Sequence, residues 1–323
     1  MKIVYDYSMK TKKVLITGAA GNLGSLAARY FLENSSVDLN LMYHNKEIEK
    51  EVGENKRVSS YKCDLSKKET LGQSMKDVNV IIHFAGILFK ASPEKFLPIT
   101  NTQYFENLID VAKMEGIKKV ILISFPHVEG HTYPHLPSTD RTDLKPISVH
   151  SQTRLEEEII LLSHIETPVI LRVGMVYGSG ILMPDGARWF ARRNLLGVWK
   201  EATFIHLISK DDFCESLLQA TVKNTVKGIY NIGDDGIQTL QEYLHFACKQ
   251  WKTFKPWTMP LWMIYTAAWF SELISTIFRI KSPLTKDFID IGRVNYYGDT
   301  RRMKDELIAK LKYRNMVEGK DTF

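Results

Sequence analysis

Short apolar runs that end at glycine alternate, along the first half of the chain, with longer segments of helical periodicity. "KKVLITG" (12–18) and "NVIIHFAG" (79–86) are typical of buried strands, whereas "SLAARYFLEN" (25–34) repeats apolar residues at helical spacing. The runs "VDLNLMYH", "KKVILISF" and "TPVILRVGMVYG" continue the alternation. Strands separated by helices indicate parallel pairing through right-handed crossovers. The pattern therefore predicts an α/β fold of the Rossmann type, with a doubly wound parallel sheet.

The first predicted strand leads into a glycine-rich turn and then into a helix. Gly18, Gly21 and Gly24 follow the strand at the spacing G-x-x-G-x-x-G, and Asn22 and Leu23 lie between the last two. Such glycines permit a tight turn, close approach of a pyrophosphate and close packing of helix on strand. The free N–H groups of the helix N-terminus then face the phosphates. This context predicts a dinucleotide site, with a purely structural turn as the alternative.

The end of the second predicted strand bears on the choice between NAD and NADP. An acidic residue about 20 residues beyond the turn would hold the adenosine ribose of NAD, but "MYHNK" (42–46) contains none. His44 and Lys46 could instead bind the 2′-phosphate of NADP. We therefore expect NADP, with NAD as the alternative. The two side chains could equally be ordinary exposed loop residues.

These signals divide the chain into regions. Residues 1–11 are predicted to be an N-terminal extension, and 12–178 an NAD(P)-binding Rossmann domain that 203–235 completes. Residues 179–202 and 236–323, where the pattern loosens and helical and aromatic segments become frequent, are predicted to form a smaller, mostly helical substrate-binding region.

Composition narrows the function without deciding it. The 323 residues are 44% hydrophobic and 25% charged, as in ordinary globular proteins. The net charge of +6 is dispersed, so no nucleic-acid-binding block is indicated. Three widely spaced cysteines predict neither disulfides nor a zinc site. The N-terminus lacks the apolar core of a signal peptide, so we expect a cytoplasmic protein.

One apolar segment requires a membrane test. "WTMPLWMIYTAAWFSELISTIF" (257–278) is rich in aromatic residues, but its unbroken apolar part is too short to span a bilayer and Glu272 interrupts it. We therefore expect no stable membrane span. The preferred interpretation is a core helix of the substrate-binding region. A lid over an apolar substrate, or shallow contact with a membrane, is the alternative.

Six motifs follow one another along the chain: "TGAAGNLG", "CDLSKKETL", "HFAG", "NTQYFENLIDVAK", "LRVGMVYG" and "GIYNIGDD". Together they resemble the extended short-chain dehydrogenase/reductase family, the NAD-dependent epimerase/dehydratases. The resemblance implies cofactor contacts beyond the glycine turn, from Asp64, Leu65, Phe84, Ala85, Gly86, Asn101 and Val173. The C-terminal third is more similar to the 3β-hydroxysteroid dehydrogenase branch, through "KPWTMPLWMIYTAAWFSELIS" and "NYYGDTRRMKDEL".

The catalytic positions of that family are altered in this chain. Family members use a Ser or Thr together with Y-x-x-x-K, in which Tyr is the acid/base and Lys lowers its pKa and holds the nicotinamide ribose. In "HSQTR", His150 stands in the place of the tyrosine and Arg154 in that of the lysine. The Ser/Thr position falls on Phe125, with Ser124 just before it. Histidine suits proton transfer near neutral pH, and arginine can grip ribose hydroxyls.

His150, Arg154 and Ser124 are therefore the candidate catalytic residues, and Arg154 is also a candidate cofactor ligand. The nearby segment "PHVEGHTYPHLP" (126–137) contains three histidines and Tyr133. Their spacing matches no metal motif, and the prolines favour an irregular loop. We expect no metal site there, but a loop that contacts the substrate.

Three functions remain open at this stage. The leading one is an NAD(P)-dependent oxidoreductase or epimerase acting on a secondary alcohol or ketone of a small molecule. That substrate would be a nucleotide sugar, or a hydrophobic, sterol-like or natural-product ketone. Loss of Tyr and Lys favours a non-catalytic NADP-binding redox sensor or partner-binding protein, and an isomerase or lyase using the histidine-rich loop is the third. The resemblance also leaves a homodimer open.

Overall fold

The structure is a computed structural model that describes residues 12–86, 92–142, 146–278, 282 and 284–323. The predicted N-terminal extension, 1–11, lies outside the described residues. The strands are β1 (Lys13–Thr17), β2 (Asp38–Tyr43), β3 (Val58–Lys62), β4 (Val80–His83), β5 (Lys119–Ser124), β6 (Thr167–Val173), β7 (Met175–Tyr177), β8 (Gly197–Trp199), β9 (Phe204–Ile205), β10 (Leu207–Ser209), β11 (Gly228–Ile232), β12 (Gln238–Thr239) and β13 (Trp257–Met259). The α-helices are α1 (Asn22–Asn34), α2 (Lys50–Gly53), α3 (Gly72–Met75), α4 (Tyr104–Met114), α5 (Val149–His164), α6 (Leu182–Arg192), α7 (Lys210–Val222), α8 (Leu240–Gln250), α9 (Leu261–Phe278), α10 (Lys286–Gly292) and α11 (Arg301–Glu306).

Seven of these strands form one parallel sheet in the order β11-β6-β5-β4-β1-β2-β3. The chain runs outward from β1 to β3, crosses back to β4, and then proceeds to the other edge. The connections of β1 and β4 therefore leave in opposite directions, and a crevice opens at the carboxyl ends of these two strands. The prediction of a doubly wound parallel sheet is confirmed.

The two faces of the sheet bury separate apolar layers. Val14 and Ile16 of β1 pack on one face with Phe31 of α1, whereas Leu15 packs on the other face with Phe105 of α4. All five side chains are fully inaccessible to solvent. A strand that is buried on both faces needs a continuous apolar run rather than alternation, and this accounts for the run "VLI" in β1.

The last third of the chain is divided between the sheet and a smaller region. Met303 of α11 and Leu307 pack into the same apolar layer as α1, so the end of the chain returns to the main sheet. Paired short strands, β8 with β13 and β9 with β12, join the helices around them. The division into a Rossmann domain and a substrate-binding region stays a prediction.

The interpretation of the 257–278 segment as a core helix is wrong. Its helix, α9, buries only Ile264, Ala268 and Ser275. Large apolar side chains on the rest of its circumference are exposed, including Trp262 at 68% and Phe278 at 68%. Apolar composition predicted burial, but too little of the chain that the structure describes packs against this helix to cover it.

By length and composition alone, α9 is the one helix within the described residues that could cross a membrane. It has 18 residues and a mean hydropathy of 1.3. A core helix of a soluble protein can pass the same test, so these properties are weak evidence for a membrane-spanning helix.

Candidate functional site

The glycine turn lies between β1 and α1, at the crevice beside β4. Gly18 has a φ of +67°, in the left-handed region that favours glycine. A Cβ on Gly18 would lie 2.9 Å from the nitrogen of Ala85, and a Cβ on Gly24 would lie 2.4 Å from the carbonyl oxygen of Gly18. Neither position accepts a side chain. The two glycines thus permit the turn to pack closely against Ala85 and against its own backbone.

Helix α1 begins at this turn without a side-chain cap. Its N-cap is Gly21, and both Gly21 and Asn22 are exposed. The Asn22 side chain is used elsewhere, since it donates to the carbonyl of Gly180 (2.7 Å) and accepts from the N–H of Leu182 (2.9 Å). Leu23 is partly buried against the core. The open helix N-terminus, with its dipole, fits the pyrophosphate of a dinucleotide.

The proposed adenosine end of the site is open to solvent. His44 and Lys46 follow β2 and are exposed. Asp64, after β3, accepts from the backbone N–H (3.0 Å) and the hydroxyl (2.7 Å) of Ser66, and these bonds lower the pKa of its carboxyl group. The other carboxylate oxygen lies 4.0 Å from Nε2 of His44. Leu65 follows Asp64 and is partly buried, so these residues border one edge of the sheet.

The opposite end of the crevice brings five sequence-predicted residues together. Phe84, Ala85 and Gly86 follow β4 directly, and Arg154 of α5 donates to the carbonyl of Ala85 at 3.5 Å. A Cβ on Gly86 would lie 2.5 Å from Nη2 of Arg154 and 3.9 Å from Oδ1 of the buried Asn101. Gly86 therefore leaves the space in which the guanidinium lies.

Helix α5 presents His150 and Arg154 on one face. Ser148 caps the helix by accepting from the N–H of Ser151 (3.1 Å), and this fixes His150 in the first turn. His150 is buried, and its ring centroid lies 4.9 Å from that of Phe125. Burial, reinforced by the charge of Arg154, lowers the pKa of His150 to about 3. The imidazole is therefore neutral at pH 7, and its Nδ1 has no hydrogen-bond partner within the described part of the chain.

A cluster of tilted aromatic rings lies at the position predicted for the family's Ser/Thr. Phe125 lies between two imidazoles, 4.8 Å from the ring of His127 and 4.9 Å from that of His150. His127 in turn packs on Tyr296 at 4.5 Å. Burial lowers the pKa of His127 to about 3 as well. This cluster of rings makes this side of the site largely apolar, and Phe125 offers no hydroxyl.

The Ser124 hydroxyl belongs to a buried ion-pair network. It donates to Glu158 Oε1 at 2.5 Å, and Glu158 also accepts from Arg172 at 2.7 Å and 3.1 Å. Arg172 further pairs with Glu129. Sequence reasoning missed this network, although a charged residue within the apolar run of β6, just before Val173, was its signal. Val173 itself is buried at the carboxyl end of β6.

A second buried acid supports Arg154. Glu157 is fully inaccessible and forms an ion pair with Nη1 of Arg154 one turn along α5. Burial nevertheless raises the pKa of Glu157 to about 7, against the opposing effect of the arginine. Glu157 was also missed, because adjacent glutamates in a helix usually indicate an exposed face. Its contact orients the guanidinium while leaving Nη2 directed at Ala85.

The histidine-rich loop is held by contacts between its own aromatic rings and by a hydrogen bond to the C-terminal third. Tyr133 stacks between His131 and His135, at 6.4 Å and 5.4 Å. His131 accepts from the backbone N–H of Asn295 at 3.1 Å, which ties the loop to the C-terminal third. Within the described ranges, no group of three His, Cys, Asp or Glu residues could hold a metal ion.

A cavity of about 320 Å³ opens beside this loop. His131 and Ser148 line it on one side, and Asp287, Asp290 and Arg293 line it on the other. Ser148 is the N-cap of the helix that carries His150. The cavity thus lies between the start of α5 and helix α10, and neither His150 nor Arg154 is among the residues that line it.

The sequence of this region matches a known domain. Residues 18–177 match the model of the NAD(P)H-binding family. They form an NAD(P)H-binding domain. The match contains the glycine turn, Asp64, the Gly86 region and the whole of α5, so the predicted cofactor class is confirmed. The choice between NAD and NADP stays a prediction, as do the individual contacts.

The sequence relatives of this chain are distant, but the similarity extends over most of the chain. An uncharacterized protein of Methanocaldococcus jannaschii is 27% identical, covering 77% of this chain and 85% of its own length. Uronate dehydrogenase of Pseudomonas syringae pv. tomato is 26% identical, covering 69% of this chain and 75% of its own length. Methionine adenosyltransferase 2 subunit beta of Xenopus tropicalis is 25% identical, covering 70% of this chain and 68% of its own length.

Solved structures share the fold over nearly the whole chain. UDP-glucuronic acid 4-epimerase from Bacillus cereus, in complex with UDP-glucuronic acid and NAD, superposes with a TM-score of 0.75. The identity is 18%, and the match covers 96% of this chain and 97% of that one. dTDP-glucose 4,6-dehydratase from Bacillus anthracis, in complex with NAD, gives 0.74 at 18% identity, covering 97% and 95%. The fold around the NAD(P)H-binding domain is thus that of these two enzymes.

Proposed function

We propose that the protein is an NAD(P)-dependent oxidoreductase or epimerase of the extended short-chain dehydrogenase/reductase type. One observation carries the proposal: α5 presents a neutral His150 and, one turn later, Arg154 directed at Ala85 beside the glycine turn. These are the places of the family's acid/base and ribose-binding residues. The 3β-hydroxysteroid dehydrogenase branch and a homodimer remain predictions.

The proposed substrate is a secondary alcohol or ketone of a nucleotide sugar or related sugar. Two names support this class, because a relative is called uronate dehydrogenase and a similar structure is a UDP-glucuronic acid 4-epimerase. The cavity beside α5 offers acceptors from Asp287 and Asp290 and donors from Arg293, which suits a polyhydroxylated substrate better than a sterol. A hydrophobic ketone is the second class to be tested.

When bound, NAD(P) supplies or accepts the hydride, and the side chains of the chain handle the substrate oxygen. A neutral imidazole has one N–H donor and one acceptor nitrogen. His150 can therefore donate to a carbonyl oxygen or accept from a hydroxyl group. Its low pKa disfavours full uptake of a proton beside Arg154. Arg154, held by Glu157, retains N–H groups for ribose hydroxyls.

The test compares cofactor binding with turnover in matched histidine variants. NADH and NADPH are titrated, and turnover is then measured on UDP-glucuronic acid, UDP-glucose, uronic acids and hydrophobic ketones. His150→Gln should reduce kcat about 100-fold or more, since weakening the hydrogen bond to the reacting oxygen typically costs that much, and should leave the cofactor Kd within about threefold. His245→Gln, on the exposed side of α8, is the control and should retain activity.

The same titration tests the roles of Arg154 and of the adenosine end. Arg154→Gln should raise the Kd of both cofactors about tenfold or more, because charge-assisted bonds to the ribose are lost. Lys46→Gln should weaken NADPH selectively if Lys46 binds the 2′-phosphate. An equal loss for NADH and NADPH would contradict that role.

A second function is favoured by two observations. Phe125 stands where a hydroxyl is expected, and the Ser124 hydroxyl is engaged by Glu158. In addition, one relative is named as a subunit of an adenosyltransferase. On this alternative the protein binds NAD(P)H as a redox sensor or as a subunit of another enzyme. Cofactor binding without turnover on the whole panel, unchanged by His150→Gln, would favour it.

A further inference from the structure

The outer surface of α9 is uncharged and largely aromatic or aliphatic. Surface helices of globular proteins normally direct apolar residues to the core and charged residues to water. In α9 this distribution is reversed, and a contiguous apolar surface of this kind marks an interaction site. Its large exposed apolar residues are Trp262, Met263, Trp269, Phe270, Leu273, Ile274, Ile277 and Phe278.

The polar side chains of α9 do not interrupt this surface. Glu272, the only charged residue of the helix, accepts from the backbone N–H of Lys286 at 2.8 Å, and Tyr265 donates to Asp290. The two threonine hydroxyls on the helix donate to carbonyls one turn earlier, at 2.8 Å each. Every one of these groups is satisfied by the protein itself, so the outward face requires no water.

Basic residues flank the helix in sequence. Between positions 249 and 286 there are six lysine or arginine residues and one acidic residue, Glu272. Of these cations, Lys252, Lys255 and Lys286 are exposed in the structure. The aspartates of α10 that follow line the cavity beside α5. Apolar aromatic residues with basic flanks match the chemistry of an anionic lipid surface.

We propose that α9 and its basic flanks bind the surface of an anionic lipid bilayer, with the helix lying in the plane of the membrane. Ile264 and Ala268 remain packed with Trp199, and a spanning orientation would break this packing. Tryptophan is enriched at membrane interfaces, and two of the exposed residues are tryptophans. This inference does not depend on the proposed enzymatic activity.

The experiment is vesicle flotation with the full chain. Phosphatidylcholine vesicles are compared with vesicles that also contain phosphatidylglycerol, at low salt and at 0.5 M salt. We expect flotation with the anionic vesicles, a loss of most binding at high salt, and a blue shift of tryptophan emission on binding. A wild-type protein that stays unbound to anionic vesicles at low salt overturns the proposal, without reference to any variant.

Two double variants separate the apolar and electrostatic contributions. Trp269→Gln with Phe270→Gln should reduce vesicle partitioning at least tenfold, because both side chains are about half exposed and would enter the interface. Lys252→Gln with Lys255→Gln should reduce it about fivefold per residue removed. Met114→Gln is the control, since Met114 is 83% exposed on α4 and should bind as wild type.

Three other outcomes count against the proposal. A lipid-free dimer that the Trp269/Phe270 double variant converts to monomer, together with no vesicle binding, assigns this face to a second copy of the chain. Vesicle-bound protein that resists extraction at alkaline pH indicates a spanning helix. A variant that changes KM for a substrate but does not change vesicle binding indicates a lid over the site.

Discussion

Helices α5 and α9 depart from the usual helix pattern in opposite directions. α5 buries charged residues, among them Arg154, Glu157 and Glu158. α9 buries only three residues and exposes tryptophan, phenylalanine and isoleucine. Ordinary amphipathic helices do neither.

The difference shows two ways in which a helix can carry function. The buried charges of α5 are each compensated: Arg154 by Glu157, and Glu158 by Arg172 of β6. Such pairs are costly to break but hold side chains in fixed positions. The apolar face of α9 has no partner within the described residues that covers it, and this is the face for which we propose a lipid surface. The ion pairs of α5 therefore hold side chains of the candidate site in position, whereas the exposed apolar face of α9 is available for contact with another surface.

Removing the cation of the buried network should have the largest effect on stability. Arg172→Met leaves Glu158 and Glu129 without their common partner, and breaking a buried pair typically costs about 3–5 kcal/mol. Urea unfolding measures the change. Lys118→Met, which removes an exposed pair with Glu166, should cost less than about 1 kcal/mol. Equal effects would mean that the network of α5 is not a structural unit.

The same truncation in the two helices compares them directly. Leu161→Ala in α5 removes a fully buried side chain and should cost about 2–4 kcal/mol. Leu273→Ala in α9 removes a side chain that is 41% exposed, and should cost less than about 1 kcal/mol in the absence of lipid. A large cost at Leu273 would show that α9 is covered in solution, by a second copy or by another segment.

The neutral state of His150 predicts a pH-dependent stability. Its folded-state pKa is lowered to about 3, whereas an unfolded histidine titrates near pH 6.5. Its contribution is therefore present above pH 6.5 and is lost as the pH falls toward 3. By linkage, that contribution is about 2 kcal/mol smaller at pH 5 than at pH 8.

Unfolding of the wild type and of His150→Gln at pH 8 and pH 5 measures this contribution. The difference in unfolding free energy between the two proteins should shift by roughly that amount in favour of the variant at pH 5. The exposed His245→Gln should give a smaller shift. An unchanged gap for His150→Gln would indicate a hydrated imidazole, and would restore the case for a conventional general base.

The smallest effect is expected on the outer face of α9. Replacing Trp269 and Phe270 by glutamine should change the free energy of unfolding by no more than about 0.5 kcal/mol without lipid, because both side chains already contact water. Thermal unfolding with and without anionic vesicles measures the effect. If the vesicles stabilise the wild type but not the variant, the exposed face of α9 contributes to lipid binding and not to folding, in contrast to the buried charges of α5.

Local patterning predicted the part of the site formed by consecutive residues. The strand expected at 12–18 is β1 (Lys13–Thr17), and the helix after the glycines begins at Asn22. The spacing of His150 and Arg154 placed both on one helix face, where they lie. These features follow from steric and periodic rules that act over a few residues.

Partners that are distant in the sequence escaped prediction. Glu157 and Glu158 look like exposed residues in "RLEEE", and only the packing of α5 on β5 and β6 shows both to be buried. Phe125 fell where a hydroxyl was expected, but its packing between His127 and His150 depends on two separate segments. The exposure of α9 was missed because composition does not show how much chain is left to cover a helix.

The sequence by itself determined the parallel sheet, the position of the glycine turn and the placement of His150 and Arg154 one turn apart on a helix. Tertiary structure decided that Arg154 lies beside Gly86, that His150 is neutral and that α9 faces outward. The physical reason is the distance along the chain over which each effect acts. Backbone sterics and side-chain periodicity act between near neighbours, whereas burial, pKa and ion pairing depend on which distant segments exclude water from a given atom.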